Sequence, residues 1–202
     1  MGPDRAVIST LLILAAVLTC PAAGGAQPDA LRQVQDPRQR FTISIPAAWE
    51  VRTSTGDPAV EASSPPSPGD LPDTVNVIVR DLPWFLTPQA CIGKAIQIMR
   101  IGGTQFKTLD EHPEELGGLH AYVHAYTWRT RSGADRRSYQ VCAMLTRRAF
   151  LLIGTTANSP SHVRDNLPVL ERIMDTFRPK GVPRLAPEKP TPDPGDGDAG
   201  NR

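Results

Sequence analysis

The feature that most constrains the fold is a long segment in the second half of the chain, in which apolar and polar side chains alternate. In Leu119–Arg129, small apolar side chains occupy every second position, and aromatic or polar side chains occupy most positions between them. Successive side chains of a strand point to opposite faces of a sheet, so this period of two predicts a β-strand. Ser138–Thr146 and Phe150–Ala157 are more continuously apolar, which is typical of central strands covered on both faces. Glycine and charged residues separate the three stretches, which therefore predict consecutive antiparallel strands.

Helices are predicted on both sides of this segment. Thr87 can accept a hydrogen bond from a free amide group at a helix start, and Pro88 suits the first turn because its missing donor costs nothing there. Apolar residues follow at helical spacing and predict one buried stripe: Ile92, Ala95, Ile96 and Met99. The start pattern recurs at Ser159, and the main part of a second helix is predicted over Pro168–Phe177.

Shorter strands complete the pattern. They are predicted at Phe41–Ile45, Thr74–Arg80 and Thr104–Glu111. The 202 residues suffice for one ordinary domain with appendages. The predicted fold class is therefore α+β, an antiparallel β-sheet covered by helices.

The N-terminal segment has the pattern of an export signal. Arg5 precedes an apolar run, Ala6–Leu18, which is too short for a transmembrane helix, and small residues follow it. We expect a signal peptide, residues 1–26, cleaved after Ala26. Two alternatives remain open: lipidation at Cys20, or an uncleaved N-terminal anchor.

The remainder divides into a leader, a domain and a tail. Residues 27–40 are polar and lack periodicity, which predicts a loosely ordered leader. The predicted domain spans residues 41–179. Residues 180–202 are rich in Pro, Gly and Asp with almost nothing to bury, which predicts a disordered tail.

The net charge and the absence of catalytic motifs exclude several classes of function. The chain has 22 Lys and Arg against 21 Asp and Glu, a net charge of +1, so a nucleic-acid partner is not predicted. Membrane contact is expected only through a lipidated Cys20 or an uncleaved N-terminal segment. The sequence has no zinc-protease helix, phosphate loop, dinucleotide glycine pattern or nucleophile elbow, so no enzyme activity and no cofactor are predicted. His120 and His124 share a strand face, but four residues of strand span roughly 13 Å, too far for one shared metal ion without a bulge.

Two cysteines remain after signal removal, Cys91 in the first predicted helix and Cys142 in a predicted central strand. Export to an oxidising compartment favours a disulfide between them, which would tie the helix to the sheet. The alternative is a pair of buried free thiols that behave as small apolar groups.

Four aromatic or imidazole side chains form a ring stripe along one face of the first predicted strand: Tyr122, His124, Tyr126 and Trp128. Rings with polar edges suit a binding face for a partner protein or a stacking ligand. The alternative is that the ring stripe packs beneath a helix or loop.

Four arginines cluster around the hairpin that follows the ring stripe: Arg129, Arg131, Arg136 and Arg137. Together they would suit contact with an anionic group, lipid or glycan. The alternative is a solvated hairpin end.

The beginning and end of the predicted domain carry a family resemblance. Phe41–Trp49 and Leu170–Arg178 resemble the PsbP-like superfamily, which includes the bacterial DcrB-like proteins, and the resemblance covers Phe41–Pro179. It implies an antiparallel sheet sandwiched by helices, an α/β/α sandwich. It also implies a non-catalytic binding, assembly or stabilising role. The leader lacks the Ser- and Arg-rich composition of a plastid transit peptide, so no photosystem role and no metal site are carried over.

The expected function is that of an exported, non-enzymatic domain, periplasmic or extracellular, which binds a partner protein in the bacterial cell envelope. The sequence does not name that partner. The alternative is a small-ligand or lipid carrier with a cleft between sheet and helix. A third hypothesis is an unrecognised hydrolase that uses His124 as its base.

Overall fold

The computed structural model describes residues 30–67, 70–83 and 85–182. The predicted signal peptide, with its possible lipidation site, and most of the predicted tail lie outside the described residues.

The described residues form ten strands and three helices. In chain order they are β1 (Leu31–Gln35), β2 (Phe41–Pro46), β3 (Glu50–Thr53), β4 (Val60–Ser63), β5 (Thr74–Asp81), α1 (Pro88–Gly102), β6 (Gly103–Leu116), β7 (Leu119–Thr130), β8 (Asp135–Leu145), β9 (Arg148–Ala157), α2 (Pro160–Asp165), α3 (Leu167–Asp175) and β10 (Arg178–Pro179).

Two antiparallel sheets organise these elements. The larger has seven strands in the order β3-β4-β5-β9-β8-β7-β6, and the smaller has the order β1-β2-β10. The three consecutive strands predicted from alternation are β7, β8 and β9, and each pairs with the next in antiparallel register. The predicted fold class, an antiparallel sheet covered by helices, is confirmed.

The leader differs from its prediction. Leu31–Gln35 is not loosely ordered but forms β1, which pairs with β2 from Leu31 opposite Pro46 to Gln35 opposite Thr42. The buried Asp36 carboxylate then accepts hydrogen bonds from the Arg40 guanidinium at 2.7 and 2.9 Å and fixes the turn into β2. A short edge strand gains its stability from backbone pairing, so its polar side chains show no alternation in the sequence.

The two faces of the seven-stranded sheet are covered unequally. The small sheet and α3 cover one face with a large apolar core, in which Phe41, Phe150 and Phe177 meet with ring centroids 5.2 to 6.2 Å apart. On the other face, under α1, the fully apolar core is small: Cys91, Ile92, Cys142 and Ala149. The first face therefore supplies most of the hydrophobic stabilisation, because that term scales with buried apolar area.

The helix boundaries follow the predicted start and stop signals. The Thr87 hydroxyl accepts a hydrogen bond from the Ala90 amide at 3.2 Å, and α1 ends at Gly102. The Ser159 side chain caps α2 in the same way. Asn166 separates α2 from α3, which places Pro168 in the first turn of α3, where it breaks no helical hydrogen bond.

Two glycine substitutions test the backbone requirements of this fold. Gly117 lies in the β6–β7 turn at φ +60°, and an added Cβ would lie 2.9 Å from the Phe177 carbonyl oxygen and 2.6 Å from Pro179 Cδ. Gly117→Ala is therefore expected to lower the free energy of unfolding by about 1–3 kcal/mol. Gly93 lies inside α1 with nothing within 4 Å of an added Cβ, so Gly93→Ala is expected to raise it by about 0.5–1 kcal/mol. Urea unfolding of both variants measures the difference, and equal effects would contradict this assignment.

Candidate functional site

The side of the sheet that carries α1 holds every residue of the ring stripe. α1 contacts β6, β7, β8 and β9, with its heaviest packing on β7 and β8. Side chains two residues apart on a strand share a face, so alternate residues of β7 and β8 point toward this helix. The chemistry of the ring stripe therefore depends on how completely α1 and β6 cover it.

The ring stripe is mostly enclosed. His124 and Tyr126 are fully buried, and the ring of Phe106 from β6 stacks on Tyr126 with centroids 4.4 Å apart. Trp128 is half-buried and donates from Nε1 to the Ser138 hydroxyl at 3.0 Å. The predicted binding face is therefore wrong for its two central residues, and the alternative of packing beneath a covering layer holds for them.

The His124 imidazole is fully buried and, within the described part of the chain, has polar neighbours at only one of its two ring nitrogens. Its Nε2 lies 3.0 Å from the Thr108 hydroxyl and 3.2 Å from the Glu111 carboxylate, while its buried Nδ1 has no hydrogen-bond partner among the described residues. Burial lowers the pKa of His124; the Glu111 charge opposes this, and the Arg100 charge adds to it.

This geometry does not support a hydrolase with His124 as base. In a nucleophile–histidine–carboxylate triad, the nucleophile contacts one ring nitrogen and the carboxylate contacts the other. Here Thr108 and Glu111 both approach Nε2. No relay through the imidazole links the hydroxyl to the carboxylate.

Other buried polar groups lie beside His124. Gln140 lies opposite His124 on β8 and is fully buried, and neither of its side-chain polar atoms has a hydrogen-bond partner among the described residues. Burial raises the pKa of Tyr126 to about 12, and the nearby Ser138 hydroxyl opposes that rise. Buried polar groups without partners reduce stability. The surface beneath α1 therefore contributes less to the free energy of unfolding than the apolar core on the opposite face.

The four arginines do not converge on one point. Arg129 forms an exposed ion pair with Asp135 at 2.7 Å, and Arg131 donates to a backbone carbonyl at the C-terminal end of α1. Arg136 is buried and donates to backbone carbonyls of the β4–β5 connection. Arg137 follows it on β8 and so points to the opposite face of the sheet. The residues do not form the shared anion contact that their clustering in sequence predicts.

The two cysteines meet at the N-terminal end of α1. Both are buried free thiols in this structure, so the predicted disulfide is not formed in it. The hydrogen bond between their side chains lowers the pKa of Cys91, and the same contact together with burial raises that of Cys142. The contact between the two thiols links α1 to β8, but without the covalent bond that the sequence predicted.

An apolar groove runs along the flank of α1 that faces β5 and β9. Its floor consists of two cross-strand pairs, Ile78 with Leu151 and Arg80 with Ala149, and Leu82 adds to the lining. Its wall is a stripe of α1 at spacing i, i+3, i+4 and i+7: Cys91, Lys94, Ala95 and Ile98. The cavity measures 440 Å³, within the range of roughly 300–1,000 Å³ typical of small-molecule sites.

The floor of the groove continues beyond this cavity. A second cavity of 380 Å³ lies over the next pairs along the same strands, Asn76 with Ile153 and Thr74 with Thr155, and extends to Met99 and Trp128. The pairs follow at two-residue steps, so all of them lie on one face of the sheet. The two cavities are neighbours along the same two strands, and we refer to them together as the trough.

The sequence did not predict this groove, although two residues of its wall, Cys91 and Ala95, were assigned other roles. The predicted apolar stripe on α1 was the one that packs on the sheet, and the adjacent stripe carries a lysine and a cysteine that obscure it. Ile98 and Ile101 are 69% and 75% exposed, which periodicity alone does not reveal. A helix with two apolar stripes at neighbouring positions was the available signal.

The described part of the chain offers neither a metal-ligand cluster nor a membrane-spanning helix. Within residues 30–67, 70–83 and 85–182, no group of three or more His, Cys, Asp or Glu side chains is placed to hold a metal ion. In the same part of the chain, no helix combines the length and apolarity needed to cross a bilayer.

Comparison with known proteins gives similarity of fold. No protein-family model matches the chain, and no curated protein matches it. The solution structure of cyanobacterial PsbP (CyanoP) from Synechocystis sp. PCC 6803 is similar with a TM-score of 0.57 at 13% identity, over 81% of this chain and 98% of that chain. LpqN, involved in cell envelope biogenesis of Mycobacterium tuberculosis, has a TM-score of 0.50 at 15% identity, over 74% and 90%. The Saccharomyces cerevisiae Ran-binding protein Mog1p has a TM-score of 0.51 at 10% identity, over 74% and 95%. The chain has the PsbP-like fold that the resemblance implied.

The enclosure of His124 makes stability depend on pH. Its pKa is lowered in the folded protein, so below a pH of about 6.5 the unfolded state binds the proton more readily and folding stability is lost as the pH falls. We expect the free energy of unfolding of His124→Gln to decline less than that of the wild type between neutral pH and the folded-state pKa. Urea unfolding at several pH values in this range measures how steeply the free energy of unfolding falls with pH. His112→Gln, at a partly exposed imidazole, is the matched control, and equal slopes for His124→Gln and wild type would contradict the assignment.

Proposed function

We propose that the protein is an exported, non-catalytic binding domain of the bacterial cell envelope and that it acts through the outer surface of α1. The observation that carries this proposal is the exposure of two large apolar side chains, Ile98 and Ile101, one helical turn apart. Exposed apolar side chains that cluster on one element favour a contact site over a solvated surface. The partner is a protein with a complementary apolar patch.

The fold supports this proposal. LpqN is involved in cell envelope biogenesis and Mog1p is a Ran-binding protein, and both share this architecture. Folds host many functions, so the proposal rests on the exposed surface; LpqN supplies the envelope setting by analogy, and Mog1p supplies an analogy for protein binding. The apolar run of the N-terminal segment supports a periplasmic or extracellular location, with membrane attachment only through a lipidated Cys20 or an uncleaved N-terminal segment.

The groove beside α1 favours a second candidate function, that of a small-ligand carrier. It is enclosed by helix on one side and sheet beneath, and its lining is mostly apolar. This arrangement is the sheet–helix cleft that a carrier requires.

Export also bears on the cysteine pair. We propose that Cys91 and Cys142 form a disulfide in protein taken from an oxidising compartment, because their thiols are already in contact. Protein purified without reductant is expected to be lighter by two hydrogens and to resist alkylation after denaturation, as intact mass measures. Reduction before denaturation is the control, and it is expected to make both residues reactive. Alkylation of both thiols in the unreduced, denatured protein would refute the bond.

The apolar surface of α1 is tested by its removal. Ile98→Ser/Ile101→Ser is expected to abolish recovery of the partner from an envelope fraction, because burial of two such side chains contributes about 3–6 kcal/mol to an interface. Both positions are exposed, so the variant retains its fold, as circular dichroism checks.

Leu31→Ser is the matched control, since Leu31 is exposed on β1, in the smaller sheet, which does not carry α1. It is expected to recover the partner as the wild type does. Equal recovery with the wild type and the double variant, or no recovery above background with either, would count against the proposal.

A further inference from the structure

The groove beside α1 combines an apolar interior with cationic side chains. Ile78, Leu151 and Ile98 supply apolar surface from the floor and the wall, and Arg80 and Lys94 line the same cavity. No acidic side chain lines it among the described residues. A ligand that fills this groove must therefore tolerate two positive charges at one part of an otherwise apolar site.

The two cations have capacity for a ligand. Lys94 is exposed, and it forms no ion pair within the described residues. Arg80 contacts Asp57 through Nη2 at 2.5 Å, and a guanidinium carries five N–H donors, so further donors remain for a second acceptor. Ammonium and guanidinium groups are the usual partners of carboxylate and phosphate oxygens.

The length of the trough sets the shape of the ligand. The apolar floor leads from the pair Arg80 and Ala149 through Ile78 and Leu151 to the second cavity, where Ile153 continues it. An extended apolar chain fits a narrow floor two strands wide. Arg80 and Lys94 line the first cavity, whereas Arg136, which lines the second, already donates to the carbonyls of Leu71 and Pro72, so the polar end of the ligand is expected in the first cavity.

We infer that the groove binds a single-chain anionic amphiphile, with the acyl chain along the floor and the carboxylate or phosphate head between Arg80 and Lys94. This inference develops the carrier candidate of the proposed function; the groove shares Ile98 with the protein-binding surface, but its floor and both cations lie outside that surface. A neutral apolar peptide gains nothing from the two cations. A second copy of the chain, docked symmetrically, would bring the same positive charges to the same place.

Purified full-length protein is titrated with dodecanoate by isothermal calorimetry, and the complex is checked by native mass spectrometry. Dodecyl phosphate is a second arm that distinguishes phosphate from carboxylate heads, and dodecanol lacks the charge. Decanoate tests the chain, because each buried methylene is expected to change the affinity about fourfold. We expect one molecule bound per chain and weaker binding of dodecanol than of dodecanoate.

Two variants locate the site. Lys94→Glu is expected to weaken dodecanoate binding about tenfold while leaving dodecanol unchanged, since it replaces an attraction by a repulsion. Lys107→Glu, the same charge change at an exposed lysine of β6, is the matched control and is expected to bind as the wild type does. Ala95→Trp fills the groove from its wall and is expected to abolish binding of every probe, with circular dichroism to check its fold.

Three results would overturn the inference: no binding of any probe, equal binding of dodecanol and dodecanoate, or equal weakening by Lys94→Glu and Lys107→Glu. A dimer that Ala95→Trp dissociates would assign the groove to a second copy and overturn it as well. Dodecanoate binding together with a failed partner recovery would keep this site and discard the protein-binding role. A recovered partner without dodecanoate binding would keep the protein-binding role and discard this site.

Discussion

The structure depends on how a single helix covers one face of a wide sheet. Adjacent strands lie about 4.8 Å apart, so seven strands span roughly 29 Å, whereas a helix with its side chains is about 10–12 Å across. One helix cannot cover such a face. α1 lies over the β6 to β9 side, and the flank beside β5 is left uncovered. The opposite face is covered across its width, because the small sheet and α3 both pack on it.

This unequal coverage explains why the two sides differ chemically. The fully covered face is packed with phenylalanine and aliphatic side chains from four or more elements, and it carries the stability of the domain. The face under α1 combines a small apolar core near Cys91 and Ile92 with buried polar groups such as His124 and Gln140. The exposed isoleucines and the groove lie where coverage ends. Candidate binding features therefore occur on the side of the sheet that contributes less to the core.

The sequence predicted the local elements well because local periodicity and capping determine them. The alternation in β7, the cap at Thr87 and the turn at Gly117 each depend on residues close together in the chain. Which side chains a helix or a neighbouring strand covers depends on residues far apart in the chain. The sequence therefore did not predict the burial of the ring stripe or the separation of the four arginines. The ring stripe has the same sequence whether it is exposed or enclosed, and the enclosing ring of Phe106 comes from a different strand. The arginines are neighbours in sequence, yet Arg136 and Arg137 lie on opposite faces of the sheet and cannot share a ligand.

The position of the cysteine pair relates the helix to the groove. Cys91 belongs both to the small core under α1 and to the wall of the groove, and its thiol contacts Cys142 on β8. The N-terminal end of α1 is thus fixed at the place where the helix has its few fully buried residues. Toward its C-terminal end, Ile98 and Ile101 have no buried contact of that kind. The C-terminal end is held differently, because the chain passes directly into β6 and the Ile101 carbonyl accepts a hydrogen bond from Arg131, so the uncovered flank of α1 lies between two fixed ends. The small core under α1 is therefore sufficient to locate the helix without closing the groove.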